Sequence, residues 1–373
     1  MVTSNIEKAL ESSRNLFITG AGGTGKSYSI KKYMDAHPER NFLVCAPTAF
    51  AAANVGGTTA HKAFHIPVPA FQSPSFAKGN KKAIKNSHIK ALVEADEVLI
   101  DEISMMRNAE FSFAIKVLRH AERIKGKKIR LIVSGDFSQL PPVVTPSDAK
   151  NLKKLGFHES GYCFTTAEWK SVNFLTVELT EIKRQDDPEF KTELNKVRVG
   201  DISSIDYFNR FVTEEPDYDD AVCLCGTNAE VSRINNDYIN GLDGMAAVYA
   251  ASKSGAVASG IVDDLVVVKA GCQVMFIAND VRGNRYYNGQ FARVVATFTD
   301  FVTVSSNGRT FNVERHTWNI EDYSVSGNKL IKKSIGSITQ MPFKVSKALT
   351  IHKSQGQSIA KCVISPTVFA AGQ

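Results

Sequence analysis

Eight residues constrain this chain more than any others: Gly20-Ala-Gly-Gly-Thr-Gly25-Lys26-Ser27. The run fits the pattern G-x-x-x-x-G-K-[ST]. It follows a short apolar stretch, Leu16-Phe-Ile-Thr19, and opens a helix-like segment from Lys26 to Ala36 that Pro38 closes. A strand that breaks into glycines and re-forms as a helix can curl backbone N–H groups around an anion, with the helix N-terminus adding partial positive charge. In that pattern Gly20, Gly22, Gly23, Thr24 and Gly25 cradle phosphates, Lys26 reaches the β- and γ-oxygens, and the Ser27 hydroxyl is a ligand for Mg2+. The competing reading is a glycine-rich turn that binds nothing.

The segments around this loop repeat its strand-then-helix order. Strand-like runs at Phe42–Ala46, Val98–Asp101 and Ile129–Ser134 alternate with helical patterns near Ala49–Asn54 and Ala109–Ile124. Near-continuous apolar strands alternating with helices predict βαβ units and a parallel sheet covered on both faces. A break near Asp186-Asp187-Pro188 separates a second half, in which Ala221–Cys225 and Cys362–Ser365 look like buried strands of a further α/β domain. From Gln290 to Gln340 the period changes to two, with turns at Ser306-Asn-Gly308 and Ser326-Gly-Asn328, as in a small antiparallel barrel. No internal repeat or low-complexity tract stands out. Between His65 and Ala91 the pattern lapses into prolines and lysines (Lys78, Lys81, Lys82, Lys85, Lys90) without one acidic residue, as expected of an insertion.

At 373 residues the chain exceeds what one hydrophobic core normally covers, so two or more domains are expected. With 43% hydrophobic and 22% charged residues it is excluded from the disordered, collagen-like and disulfide-scaffold classes. No uncharged apolar run approaches the roughly 18–20 residues of a membrane helix. Glu7, Lys8, Glu11 and Arg14 interrupt the N-terminus where a secretory signal needs an apolar core. An intracellular protein is expected, cytoplasmic or, in a eukaryote, nuclear, with no membrane partner. The six cysteines form no C-x-x-C pair and are expected to be free thiols. A net charge of +7 is mild for this length.

Two further segments complete a nucleotide site. Val98-Leu-Ile-Asp101-Glu102 delivers carboxylates to a strand end, where Asp101 would hold Mg2+ and Glu102 would polarise the attacking water; alone it is equally a surface turn. Leu131–Ser134 runs into Gly135-Asp-Phe-Ser-Gln139-Leu-Pro-Pro142. There Gln139 could touch the γ-phosphate, or the segment could be a plain turn capped by Asp136.

Taken with Ala46-Pro-Thr-Ala-Phe-Ala-Ala52, Gly56-Gly-Thr-Thr-Ala-His61, Leu179–Gln185 and Ile351-His-Lys-Ser-Gln-Gly-Gln357, these segments resemble the ordered motifs of superfamily-one DNA helicases. The branch they match is the PIF-one-like one, related to RecD and the phage helicase Dda. The resemblance spans residues 17 to 357 and implies an α/β fold: two RecA-like P-loop motor domains with parallel sheets, a small insertion in the first and an SH3-like β-barrel insertion in the second. On this chain the expected domains are 1–185, with a wedge-type insertion at 65–91; 186–289 with 341–373; and the barrel at 290–340.

The same resemblance implies ATP and Mg2+ as cofactors. Single-stranded DNA and forked or tailed duplex DNA are the implied partners, with 5′→3′ movement; a monomer is expected. Lys26, Ser27, Asp101, Glu102 and Gln139 keep the roles above, and Arg184 matches the arginine such helicases present to the γ-phosphate from the second motor domain. Gln355 and Gly356 would face the nucleotide. Thr48, Phe50, Thr59, His61 and Phe64 match first-domain DNA contacts, and Thr350, His352 and Ser354 match second-domain ones; Phe50 and Phe64 are equally placed to be core. Met1–Phe17 contains no glutamine to match the family's adenine-gripping segment. The chain also ends at Gln373, before the last motif, Y-V-A-L-S-R, which holds a second γ-phosphate arginine. The missing motif makes an ATP-gated single-stranded-DNA-binding module that does not unwind the alternative; a third, weaker reading is an AAA-type ATPase that remodels proteins.

Overall fold

The computed structural model of the protein describes residues 2–67, 89–213, 221–257, 262–280, 283–355, 357 and 359–370. Most of the expected insertion at 65–91, with Lys78, Lys81, Lys82 and Lys85, lies outside them. The chain forms two compact units: 1–211 with 322–333, and 212–321 with 334–373.

The first unit is built on one six-stranded sheet. Its strands are β1 (Leu16–Gly20), β2 (Phe42–Ala46), β3 (Thr58–Thr59), β4 (Glu97–Ile100), β5 (Arg130–Ser134) and β6 (Leu175–Leu179), in the order β3-β2-β4-β5-β1-β6. Every pairing is parallel. Successive side chains point to opposite faces, and both faces are covered. Phe17, Val98, Ile100, Leu131 and Val133 pack with the helix Asn108–Lys125, whereas Leu16, Ile18, Leu99 and Ile132 pack with Ile6, Leu10, Ile30 and Tyr33. That double burial is why the strands read as unbroken apolar runs. Because β5 lies between β1 and β4, the ends of the glycine-loop strand and the acidic strand share one edge of the sheet. At the opposite edge Arg130 pairs with Glu97 at 3.2 Å and donates to the carbonyls of Ala9, Leu10 and Arg14, pinning the first helix.

The second unit holds a smaller parallel sheet. Here β7 (Val222–Cys225) lies between β18 (Ala348–Thr350) and β19 (Cys362–Ile364), with the helix Asn228–Gly241 packed beside it. The intervening strands are antiparallel: β8 (Ala247–Ala250), β9 (Ser252–Gly255), β10 (Leu265–Val268), β11 (Gln273–Phe276), β12 (Phe291–Thr297), β13 (Phe301–Ser306), β14 (Arg309–Glu314), β15 (His316–Ser326), β16 (Lys329–Gln340) and β17 (Phe343–Val345). They form sheets β14-β13-β12-β11-β17, β15-β16-β9 and β10-β8. Asn307 and Gly308, both at positive φ, make the tight β13–β14 turn.

Three expected boundaries change. The antiparallel body takes in β8 to β11 and β17, so much of the 247–289 stretch expected in a parallel sheet belongs to it instead. Apolar runs such as Leu265–Val268 look alike in either kind of sheet. The break expected at Asp186 is a helix start: Asp187 caps Pro188–Arg198, accepting from Glu189 N and Phe190 N, and the first unit continues to Phe211. Finally, residues 322–333, the tip of the β15–β16 hairpin, belong to the first unit. Tyr323 accepts from Val44 N at 3.0 Å, Leu330 N donates to Asn41 Oδ1 at 3.0 Å, Asp322 pairs with Lys62 at 3.2 Å, and Lys332 bonds the Gly56 carbonyl. Strand β3 pairs only with Cys45 and Ala46, and the tip occupies the β2 edge that β3 leaves uncovered.

Among the described residues no helix is long and apolar enough to cross a membrane. All six cysteines are free thiols, four of them buried.

Candidate nucleotide site and nucleic-acid interface

The glycine loop leaves β1 at Gly20 and ends at Gly25, which caps the helix Lys26–Ala36 in the left-handed region with no side-chain cap. Gly20, at φ 140°, has no room for a side chain: a Cβ there would lie 2.2 Å from the Leu179 carbonyl oxygen of β6. Gly23, at φ 78°, is as confined, with Arg184 Cβ 2.5 Å from a Cβ built on it. The Thr24 hydroxyl donates to the Ala21 carbonyl at 2.9 Å. Lys26 Nζ donates to the Gly20 and Ala21 carbonyls at 2.7 and 3.0 Å, so its ammonium spans the loop. Burial holds its pKa below the ordinary lysine value, against the pull of Glu102, Asp136 and Asp101.

Ser27 donates to Asp101 Oδ2 at 2.8 Å, and Ser134, at the end of β5, bonds Asp101 Oδ1. The next residue, Glu102, sits at φ 52°. Its carboxyl is pushed up to about 7, first by burial and then by the neighbouring Asp101 charge. A non-glycine residue held in the left-handed region beside the buried Asp101 carboxylate is the kind of strain that gathers at working sites. Gln139 also lies against the loop, its Nε2 3.3 Å from a Cβ built on Gly22, and donates to Asp136 Oδ2 at 3.3 Å. Asp136 is buried, accepts from Ser138 N, and pairs with Arg198.

Arg184 is a correction. The resemblance implies that it is presented from the second motor domain, but it follows β6 of the first unit's own sheet. Lys183 N donates to the Gly23 carbonyl at 2.9 Å, and the Arg184 side chain starts against the loop. The chain returns to the loop because β6 pairs with β1 along its whole length. Gln355 belongs to the second unit, and Gly356 lies outside the described residues.

The expected nucleic-acid residues divide by unit. In the first, Thr48 accepts from Ala51 N and Thr59 accepts from Lys62 N, each opening a short helix; His61 is half-buried, with Nε2 3.7 Å from Glu110 Oε1. Phe50 heads the helix Ala49–Asn54 as its second residue, and its side chain lies outside what is described. Phe64 is the second correction. It is 0% exposed, packed in the core with Ile66, Leu92 and Phe111, and a ring without an exposed face cannot stack on a base. In the second unit Thr350 accepts from Lys353 N, Ser354 donates to the Ile351 carbonyl, and His352 is half-buried, its pKa lowered by that burial.

Sequence reading missed a duplication here. Thr59-Ala-His61-Lys62 and Thr350-Ile-His352-Lys353 are the same T-x-H-K quartet, each following a strand of a parallel sheet. Their threonines cap at φ −71°, ψ 148° and φ −73°, ψ 148°, and each accepts from its lysine N–H at 3.3 Å. The repeat is four residues long, too short to register as a repeat without the two sheets behind it. Ser134 and Arg198 were also missed; the sole advance sign of Ser134 was a polar residue closing an apolar strand.

A glycine loop between a strand and a helix, with an acidic strand end and a hydroxyl gathered at the same sheet edge, defines the P-loop nucleotide-binding class. The family model of PIF1-like helicases matches residues 2–207, and the chain belongs to that family. It is 28% identical over 389 residues to the ATP-dependent DNA helicase Pif1 of Campylobacter jejuni, covering 96% of this chain and 85% of that one. Among solved structures, Bacteroides sp Pif1 in complex with ADP-AlF4 superposes with a TM-score of 0.85 at 29% identity, covering 100% of this chain and 88% of that one. Bacteroides Pif1 bound to ssDNA matches at 29% identity with a TM-score of 0.63, over 100% of this chain and 89% of that one. Two RecA-like α/β parts with parallel sheets and an antiparallel β insertion are thus the fold of the family.

Proposed function

We propose that this chain is an ATP-dependent DNA helicase that couples ATP hydrolysis to 5′→3′ movement on single-stranded DNA and to separation of forked or tailed duplexes. One observation carries the reading: in a member of the PIF1-like helicase family, Lys26, the Ser27–Asp101 pair, Glu102, Gln139 and Arg184 converge on a single glycine loop. The relatives' names and the ssDNA bound by the Bacteroides protein support the nucleic-acid half. The direction of movement rests on the motif resemblance.

The loop receives the triphosphate, and Lys26 exchanges its two loop carbonyls for phosphate oxygens, a charge-assisted contact stronger than the bonds it gives up. Ser27 and Asp101 offer a hydroxyl and a carboxylate oxygen 2.8 Å apart, a hard oxygen pair that suits Mg2+, which commonly takes one or two protein ligands along with phosphate oxygens and water. When bound, Mg2+ neutralises charge on the phosphates. Glu102 orients and polarises the attacking water, a task that suits a carboxyl titrating near neutrality. Gln139, tethered to Asp136, senses the γ-phosphate, and Arg184 stabilises the charge that develops on it; such arginines contribute about 10³–10⁵ in rate. Thr48, Thr59 and His61 hold backbone phosphates in one unit, and Thr350, His352 and Ser354 do so in the other.

ATPase and strand-separation assays on 5′-tailed and 3′-tailed duplexes, with Lys26→Ala as the comparison, test the reading. DNA-stimulated hydrolysis and unwinding of the 5′-tailed substrate are expected, both lost in Lys26→Ala. Turnover in Lys26→Ala equal to that of the parent overturns the site; ATPase without unwinding of either tail overturns the helicase.

A further inference from the structure

A second cationic hollow lies wholly within the second unit. The helix Asn228–Gly241, β10, β17 and β18 border an open hollow of about 330 Å³, at the small end of ligand sites. Lys344 on β17 and Lys353 of the second T-x-H-K quartet both line it, with Ser232, Asn228, Asn236 and Asp263. Lys344 is half-buried between the buried Phe343 and the partly covered Val345, while Lys353 is exposed.

Among the described residues neither ammonium has a hydrogen bond or an ion pair, and Asp263, the one carboxylate of the lining, is not within pairing distance of either. Asn235, also in the lining, is committed to the fold: it donates to the Ala348 carbonyl at 3.1 Å and accepts from Ala348 N at 2.8 Å. Burial and the Lys353 charge hold the Lys344 pKa down at about 8. Two cations sharing a partly desolvated hollow repel each other, and such a group either loses its proton or acquires an anion. The rest of the lining is largely aliphatic, from β10, β17, β18 and the helix, and among it the Asn228 and Asn236 amides and the Ser232 hydroxyl are the neutral donors that an oxyanion needs.

We infer that this hollow is a phosphate-binding pocket that takes one phosphoryl group, with Lys344 and Lys353 as its charged donors. Lys344 belongs neither to the nucleotide loop nor to the matched nucleic-acid residues. The phosphoryl group can come from a bound strand, in which case the inference deepens the helicase reading and rests on it, or from a free phosphoanion, in which case it stands alone.

Acylation footprinting of the full chain, read by mass spectrometry at Lys344, tests it. At pH 8 the depressed Lys344 amine reacts readily with an acetylating N-hydroxysuccinimide ester. The probes are inorganic pyrophosphate and oligo(dT), run on the parent and on Lys26→Ala, which removes competition from the glycine loop. At a probe concentration about ten times its Kd, Lys344 labelling falls about tenfold. Protection by pyrophosphate that persists in Lys26→Ala supports a free-phosphoanion pocket even if the chain unwinds nothing. Protection by oligo(dT) supports a strand phosphate, provided that Lys344→Met lowers the salt slope of oligo(dT) affinity by about 0.7, the value of one single-strand phosphate contact. Labelling of Lys344 unchanged by both probes overturns the inference, as does oligo(dT) protection with no pyrophosphate protection and an unaltered slope. The footprint on the parent chain keeps the test decisive if Lys344→Met folds poorly.

Discussion

Replacing Glu102 with glutamine separates two consequences of one environment. A carboxyl held at about 7 instead of 4.5 binds more protons in the folded than in the unfolded chain throughout that interval, so stability falls as pH rises through it. Above pH 7 the full cost applies: the gap between 4.5 and about 7, at 1.36 kcal/mol per pH unit, is about 3 kcal/mol. At pH 5 the cost shrinks to about 1 kcal/mol. Glu102→Gln removes the charge and keeps the shape. Its thermal midpoint should therefore rise by about 4–6 °C at pH 8, and by about a quarter of that at pH 5. Activity moves the other way. In the parent, kcat/KM for ATP should climb about tenfold between pH 6 and pH 8, because that ratio reports the free enzyme's ionisation. Glu102→Gln should lose about 10²–10⁴ in rate and lose that pH limb as well. Steady-state ATPase with oligo(dT), beside thermal unfolding at both pH values, reads all of this. A flat profile from pH 6 to pH 8 together with an unshifted midpoint at pH 8 would refute the reasoning.

Three other outcomes follow from geometry. Gly20→Ala puts a methyl 2.2 Å from the Leu179 carbonyl at a φ that side chains rarely adopt, and should cost about 3 kcal/mol or more by chemical denaturation, as strained or overpacked sites do. Phe64→Ala should cost about 3–5 kcal/mol of stability, the range for a buried aromatic, while oligo(dT) affinity measured well below its melting temperature stays within about twofold of the parent, where loss of a stacking contact would cost about 1–3 kcal/mol. Tyr323→Phe leaves Val44 N without its acceptor and should cost about 1–3 kcal/mol, with faster amide exchange at Val44 as its specific signature; exchange unchanged there would dissolve the hairpin contact.

How much was readable in advance depended on the range over which each residue acts. The glycine loop, Ser27, Asp101 and Glu102 are set by chemistry within one strand–turn unit, and alternation of strands and helices predicts the sheet that gathers them. Phe64 was not readable, because an aromatic residue just after a short helical turn satisfies both a core face and a stacking surface, and only the full packing of Ile66, Leu92 and Phe111 around it decides. Arg184 was misplaced because a motif match carries order along the chain but not strand order across a sheet; pairing of β6 with β1 brings it to the loop. The limits of the antiparallel body were obscured by four-residue strands, such as Leu265–Val268, whose composition is the same whichever way their neighbours run.

The hairpin tip has a topological consequence. The backbone passes between the two units at 211/212, again at 321/322 and a third time at 333/334, so a single proteolytic nick anywhere in 186–221 yields two polypeptides, and the 322–333 tip of the C-terminal one stays packed in the first unit by non-covalent contacts alone. Expressing 1–211 alone would strip Tyr323 and Leu330 from the β2 margin and bare a strand edge prone to intermolecular pairing. Dissecting this enzyme into independent lobes therefore calls for grafting a short surrogate strap across that margin, not for choosing a better cut.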